Sequence, residues 1–205
     1  MTRRYLALGD SYTIGEGVDA NDRWPVRLAA AVRASGISLD DPRIIARTGW
    51  TTAELLDAIA TASPQPPANQ DLVTLLIGVN DQYRGYGVGV FRTGFERLLP
   101  RAVQLAANDP RRVVVVSIPD WSVTPFAGSD PRGQPAIAAE LDAFNAIVRQ
   151  LATTSGAAFV DVTADSRRAA HDRELLAADS LHPSAAMYKS WVSLILPAAR
   201  HALGA

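Results

Sequence analysis

Short apolar runs alternate along the chain with longer segments in which apolar residues recur at helical spacing. The short runs predict five strands, at residues 5–8, 43–46, 72–77, 112–118 and 158–162. The longer segments predict five helices, at residues 25–34, 52–62, 90–107, 136–154 and 184–203. The third and fourth strands are almost continuously apolar, as expected when helices cover both faces of a parallel sheet. This alternation predicts one doubly wound, three-layer α/β/α domain spanning residues 1–205.

Polar residues and glycines follow these predicted strands. Residues 9–11 come directly after the first strand, residues 47–51 follow the second, and residues 78–81 follow the third. Residues 179–184 lie just before the last helix. Because the loops after parallel strands meet at one edge of the sheet, where α/β proteins bind ligands, we expect these segments to converge.

The converging segments contain the residue types of serine-based hydrolysis. Ser11 is a candidate nucleophile, and because a free serine is a poor nucleophile it needs an adjacent base. His182 can be that base, and Asp179, three residues earlier, can orient the imidazole. The backbone N–H groups of Ser11 and Gly49, together with the Asn80 amide, can bind the oxyanion that the attack creates.

Each of these residues also has a purely structural interpretation. A serine after a strand often caps a helix, and Asp10 can simply support the turn that carries Ser11. Residues 78–81 and 179–183 have the composition of ordinary turns, and Gly49 can serve only to adopt a positive φ. The glycines around Ser11 match neither a phosphate-binding loop nor a dinucleotide motif. The joint appearance of all these residues, each beside a predicted strand or the last helix, favours catalysis.

The combination resembles the SGNH hydrolases, also called the GDSL family of esterases and lipases, over nearly the whole chain. Residues 9–17 resemble the first block of this family, and residues 78–81 resemble its third block. The resemblance implies a nucleophile at Ser11, oxyanion donors at Ser11, Gly49 and Asn80, and completion of the catalytic triad by Asp179 and His182.

The resemblance also implies a fold and an activity. The fold would be flavodoxin-like, with a five-stranded parallel sheet in the order 2-1-3-4-5. The activity would be ester hydrolysis through an acyl-enzyme, which requires no metal and no organic cofactor. Tyr12 stands where the name-giving motif has leucine, a substitution that leaves the catalytic residues intact.

Composition excludes several other classes of function. The formal net charge of −1 gives no electrostatic basis for binding nucleic acid or an anionic membrane. Cysteine is absent, which excludes disulfides and thiolate catalysis, and three histidines supply a metal site poorly. The first apolar run is too short for a signal peptide, and we find no membrane span. We therefore expect a cytoplasmic protein, or one exported by a route that the sequence does not show.

Aromatic residues on the same loops suggest a substrate with an apolar group. Trp50, Tyr83, Trp121 and Phe126 are candidate pocket residues, although each could equally pack in the core or a loop. Because the loops leave little material for a large lid, short or accessible acyl groups are favoured. The alternatives are a lysophospholipase, a thioesterase, a carbohydrate O-acetylesterase, or a non-catalytic module that binds acyl groups or carbohydrate.

Overall fold

A computed structural model describes residues 2–205. It contains a five-stranded parallel sheet in the order β2-β1-β3-β4-β5, which confirms the predicted fold. The strands are β1 (Tyr5–Gly9), β2 (Arg43–Ala46), β3 (Leu72–Leu76), β4 (Val113–Val116) and β5 (Ala158–Val160). Their bounds agree with the predicted strands to within one residue at every N-terminal end and to within two residues at every C-terminal end.

Eight α-helices surround the sheet in the described part of the chain. They are α1 (Ser11–Ile14), α2 (Trp24–Ala34), α3 (Thr52–Thr61), α4 (Val79–Tyr83), α5 (Val88–Leu105), α6 (Gln134–Ser155), α7 (Thr163–Ser166) and α8 (Ala185–Ala202). The chain moves outward to β2 and then back across the sheet, so right-handed crossovers place α2 on the opposite face from α3, α5 and α6. Helix α8 packs against α2 and completes that layer. Among residues 2–205, we find no helix long and apolar enough to cross a membrane.

Three short helices, α1, α4 and α7, were not predicted from the sequence. Each has only four or five residues, too few for an apolar face to repeat along the chain. Two of them, α1 and α4, begin two and three residues after the ends of β1 and β3, respectively. They therefore carry the polar residues that follow these strands.

The register of the sheet brings three strand ends to the same level. Gly9 pairs with Ala46 of β2 on one side and with Leu76 of β3 on the other. A side chain at position 9 would place its Cβ 2.4 Å from the carbonyl oxygen of Leu76, so only glycine allows this close approach. The segments that leave these strands consequently start side by side.

Candidate active site

Ser11 is the first residue of α1. The Asp10 side chain caps this helix by accepting a hydrogen bond of 3.0 Å from the backbone N–H of Tyr12. As the first helical residue, Ser11 has no intrahelical acceptor for its own N–H. The side chain is 4% exposed and lines a cavity at the sheet edge. Ser11 therefore places both its hydroxyl and its backbone N–H at this cavity.

Asp179 and His182 form a compact pair in the turn before α8. The Nδ1 atom of His182 lies 2.6 Å from one carboxylate oxygen of Asp179. The other carboxylate oxygen accepts backbone N–H bonds of 2.9 Å from Leu181 and His182, which fixes the turn. Burial raises the pKa of the Asp179 carboxyl, but the hydrogen bonds from His182 outweigh burial and lower this pKa below its usual value. The carboxylate is therefore ionised where it can orient the imidazole.

His182 and Ser11 line the same cavity. Within the described residues no hydrogen bond joins their side chains, and Ser11 Oγ has no other hydrogen-bond partner in the protein. Contacts between a nucleophile and its base are often long before substrate binds. With Nδ1 engaged by Asp179, the nitrogen of His182 that can receive a proton is Nε2.

Gly49 and Asn80 place two further donors beside the cavity. Gly49 lies in the loop between β2 and α3 with φ +87°, a conformation that favours glycine. Across residues 2–205, its N–H donates to no other backbone group. Asn80 lies in the first turn of α4, and its side-chain amide donates a 2.9 Å hydrogen bond to the carbonyl of Trp50. This bond uses one amide hydrogen and orients the second one, so both donors can contribute to an oxyanion hole.

Side chains of α4 and its C-cap fasten this helix to the segment that carries Gly49. The Asp81 carboxylate accepts hydrogen bonds from Thr52, 2.9 Å from the backbone N–H and 2.7 Å from the hydroxyl. Arg84 donates to the carbonyl of Gly49 and forms an ion pair of 3.2 Å with Glu54. These bonds fix the position of Asn80 relative to Gly49, and they leave the N–H groups that would bind an oxyanion free of other partners among residues 2–205.

The cavity has a volume of about 170 Å³ and mixes polar and apolar walls. It is lined by Ser11, Tyr12, Thr48, Gly49, Val79, Asn80, Tyr83, Trp121, Phe126, Leu181 and His182. A larger cavity, about 560 Å³, lies at the other end of the sheet among charged residues such as Arg3 and Asp109, but no serine or threonine lines it. The smaller cavity is the one that can support nucleophilic chemistry.

Three of the four aromatic pocket candidates line this cavity. Tyr83, Trp121 and Phe126 contact one another with ring centroids 5.7 to 6.2 Å apart. Trp50 does not line the cavity; its ring packs against the core, and its carbonyl orients Asn80. Sequence reasoning did not single out Tyr12 as a wall residue, although its position next to Ser11 was a usable signal.

Asp10, directly before Ser11, is a fully buried carboxyl group. One of its oxygens caps α1, and the other has no hydrogen-bond partner within the described residues. Burial, reinforced by the nearby charge of Asp81, raises the pKa of Asp10 from 3.8 to about 8. At neutral pH this group is therefore held mainly in its protonated, uncharged form.

The raised pKa of Asp10 predicts that the stability of the folded protein depends on pH. Between pH 4 and pH 8 the folded protein keeps the Asp10 proton, whereas the unfolded chain has lost it. The free energy of unfolding should consequently fall as pH rises, by about 1.4 kcal/mol per pH unit from this group. Urea denaturation of the wild type and of Asp10→Asn across this range measures the effect. The free energy of unfolding of the wild type should fall relative to that of Asp10→Asn as pH rises, and a constant offset between the two proteins would contradict the prediction.

The comparisons with known proteins agree with this architecture. The parallel sheet in the order 2-1-3-4-5 with helices around it is the SGNH-type hydrolase fold. The sequence matches the model of the GDSL-like Lipase/Acylhydrolase family over residues 7–189, so the chain belongs to this family. A search among curated proteins gave no match.

Solved structures of similar fold include named esterases. AlinE4, described as a SGNH-hydrolase family esterase, is 27% identical, with a TM-score of 0.65, and the match covers 100% of this chain and 98% of AlinE4. TesA is 22% identical, with a TM-score of 0.69 and coverage of 98% and 100%. The psychrotrophic esterase EstA from Pseudoalteromonas sp. is 18% identical, with a TM-score of 0.70 and coverage of 99% and 100%. TesA and EstA support the fold, and AlinE4 is similar in sequence as well.

Proposed function

We propose that this protein is a serine esterase that hydrolyses carboxylic esters through an acyl-enzyme, acting as a single domain. The observation that carries the proposal is the convergence on one cavity of Ser11, the Asp179–His182 pair and the donors Gly49 and Asn80. Family membership and the similarity to AlinE4, an esterase, support the same reaction class.

The proposed reaction has two halves that share one base. Ser11 Oγ attacks the ester carbonyl carbon while its proton passes to Nε2 of His182. The oxyanion is bound by the N–H groups of Ser11 and Gly49 and by the Asn80 amide. His182 then protonates the leaving alcohol as the C–O bond breaks. In the second half His182 deprotonates a water, which attacks the acyl-enzyme; the bond from the acyl carbon to Ser11 Oγ then breaks, His182 returns the proton to Oγ, and the acid is released.

The dimensions of the cavity favour a small acyl group. Its volume of about 170 Å³ is below the range of roughly 300 to 1,000 Å³ that pockets for drug-sized ligands occupy. The aromatic side chains on one side suit an alkyl or aryl group. These features support short-chain carboxylic esters over lysophospholipids or long acyl thioesters.

Covalent labelling distinguishes an esterase from a binding module on the same scaffold. A fluorophosphonate probe should modify Ser11 of the wild type, and peptide mass spectrometry identifies the site. Pre-incubation with p-nitrophenyl acetate should slow the labelling, since substrate and probe compete for one hydroxyl. Absence of any label at Ser11, in a protein that is folded, would overturn the proposed function.

Removal of the Asn80 amide tests the oxyanion hole. Asn80→Ala should lower kcat for p-nitrophenyl acetate by about 10²–10³-fold, because one preorganised donor to the transition state is lost. KM should change little, since the interaction strengthens only as charge develops. Asn21→Ala, at an exposed asparagine in the β1–α2 connection, is the matched control and should retain the wild-type rate. An Asn80→Ala rate equal to that control would remove Asn80 from the proposed mechanism.

A further inference from the structure

A second, mostly apolar cavity lies directly behind the candidate active site. The volume of this cavity is only about 20 Å³. It is lined by Tyr12, Pro119, Asp120, Trp121, Thr124, Ser166, Leu175, Leu176, Leu181, Pro183 and Met187. Three of these residues, Tyr12, Trp121 and Leu181, also line the active-site cavity. These three side chains therefore form the partition between the two spaces.

The side-chain polar groups of Asp120, Ser166 and Thr124, which line the second cavity, all have hydrogen-bond partners in the protein. The carboxylate of Asp120 accepts hydrogen bonds from Ser122 and Arg167, and the Ser166 hydroxyl donates to the carbonyl of Thr163. The Thr124 hydroxyl donates to the carbonyl of Trp121. The surface facing the space is therefore mainly apolar, and a hydrocarbon chain could occupy it without breaking these hydrogen bonds.

Of the three partition residues, Trp121 is the one whose side chain is positioned by residues that are not candidate catalytic residues. Its indole N–H donates a 2.9 Å hydrogen bond to the side-chain oxygen of Gln82, which is itself buried and bonded to Glu140. The guanidinium of Arg132 lies 5.6 Å from the Trp121 ring centroid and adds a cation–π contact. The ring is 2% exposed, so it is a fixed wall rather than a movable one.

The other two partition residues are tied to the candidate catalytic groups. The Tyr12 ring lies 5.6 Å from that of His182, and the Leu181 N–H donates to Asp179. A substitution at Tyr12 removes a ring contact of the base, and one at Leu181 changes a side chain in the short turn between Asp179 and His182. Trp121 has no hydrogen bond to these groups and can be altered separately.

We propose that Trp121 sets the limit on acyl-chain length by closing the active-site cavity against the apolar cavity behind it. This inference rests on the proposed esterase function, and it assigns the acyl group, rather than the alcohol, to the Trp121 side. Acyl chains short enough to fit in the active-site cavity are accepted, whereas longer chains are blocked by the Trp121 ring. Removal of the ring should join the two cavities and admit longer chains.

The test uses p-nitrophenyl esters from acetate to octanoate, which vary the acyl chain and keep one leaving group. Trp121→Ala should raise the ratio of kcat/KM for octanoate to that for acetate by about tenfold or more, since each accommodated methylene contributes substantially to specificity. Trp121→Phe is the matched control: it keeps a ring in the partition but loses the bond to Gln82, so the ratio should remain near that of the wild type. Trp121→Leu provides a smaller opening if the alanine variant does not fold, as judged by circular dichroism.

A second substitution tests whether the gained space is the cavity behind the ring. Met187→Phe in the Trp121→Ala background should refill this space and reverse most of the change in the ratio. Parallel chain-length profiles for the wild type and the folded Trp121→Ala and Trp121→Leu variants would overturn the inference while leaving the esterase function intact. A shift seen instead with alkyl acetates, which vary the alcohol, would overturn the acyl assignment. Failure of the wild type to hydrolyse any ester would overturn the proposed function itself.

Discussion

Ser11→Ala should lower the rate of p-nitrophenyl acetate hydrolysis by about 10⁶-fold, which is the size of effect seen when a triad nucleophile is removed. The substitution deletes the only atom that can form the acyl-enzyme in the proposed mechanism. It should leave the fold intact, because Ser11 Oγ makes no hydrogen bond to the protein within the described residues and the Asp10 cap of α1 is retained. The N–H of residue 11 also remains.

The measurement combines steady-state kinetics with a thermal melt of each protein. Ser193→Ala is the control, because this exposed serine on α8 makes only a local bond to the carbonyl of Lys189. It should hydrolyse the ester at the wild-type rate. A folded Ser11→Ala protein with more than a tenth of that rate would exclude Ser11 as the nucleophile.

The layer architecture was accessible from the sequence because it depends on long patterns. The runs at 72–77 and 113–118 are almost continuously apolar, and both form buried strands inside the sheet. The helical segments between them are long enough for an apolar face to repeat several times. Strand ends were less well predicted: β4 ends at Val116, but Ser117 and Ile118 beyond it are also buried, and the Ser117 N–H still donates to the carbonyl of Val160 in β5, so burial does not mark the end of the strand.

The candidate site was accessible because few residue types perform serine-based hydrolysis. The segments of Ser11, Asn80 and His182 were expected to meet at one sheet edge, and these residues line one cavity. What the sequence did not reveal is how the site is braced. Arg84 bonds to the carbonyl of Gly49 across the two loops, a contact set by tertiary geometry rather than by any local pattern.

The aromatic pocket residues also could be predicted only in part, because their side-chain directions depend on tertiary contacts. Loop position alone suggested Trp50 and Trp121 equally, since both follow strands. Only the packing separates them: Trp121 is anchored to Gln82 and faces two cavities, whereas Trp50 contributes its carbonyl. Side-chain direction in irregular loops depends on such distant partners, and hydrophobic periodicity does not encode it.

Asp179→Asn should lower kcat by about 10⁴-fold, as the loss of the orienting carboxylate does in related triads. An asparagine oxygen can still accept the N–H groups of Leu181 and His182, so the turn is preserved. The amide NH₂, however, then faces Nδ1 of His182 in place of the oxygen that lies 2.6 Å away. Nδ1 must become an acceptor, the proton moves to Nε2, and Nε2 can no longer take the proton of Ser11.

Asp172→Asn is a close control for this change. The Asp172 carboxylate accepts the N–H of Glu174, two residues on, as Asp179 accepts that of Leu181, but Asp172 has no imidazole partner. Steady-state kinetics should therefore show the large loss only for Asp179→Asn, and thermal melts should show two folded proteins. A loss of less than tenfold for Asp179→Asn would mean that another group orients His182. Because the two substitutions differ in the imidazole contact, the comparison isolates the contribution of the carboxylate to the base.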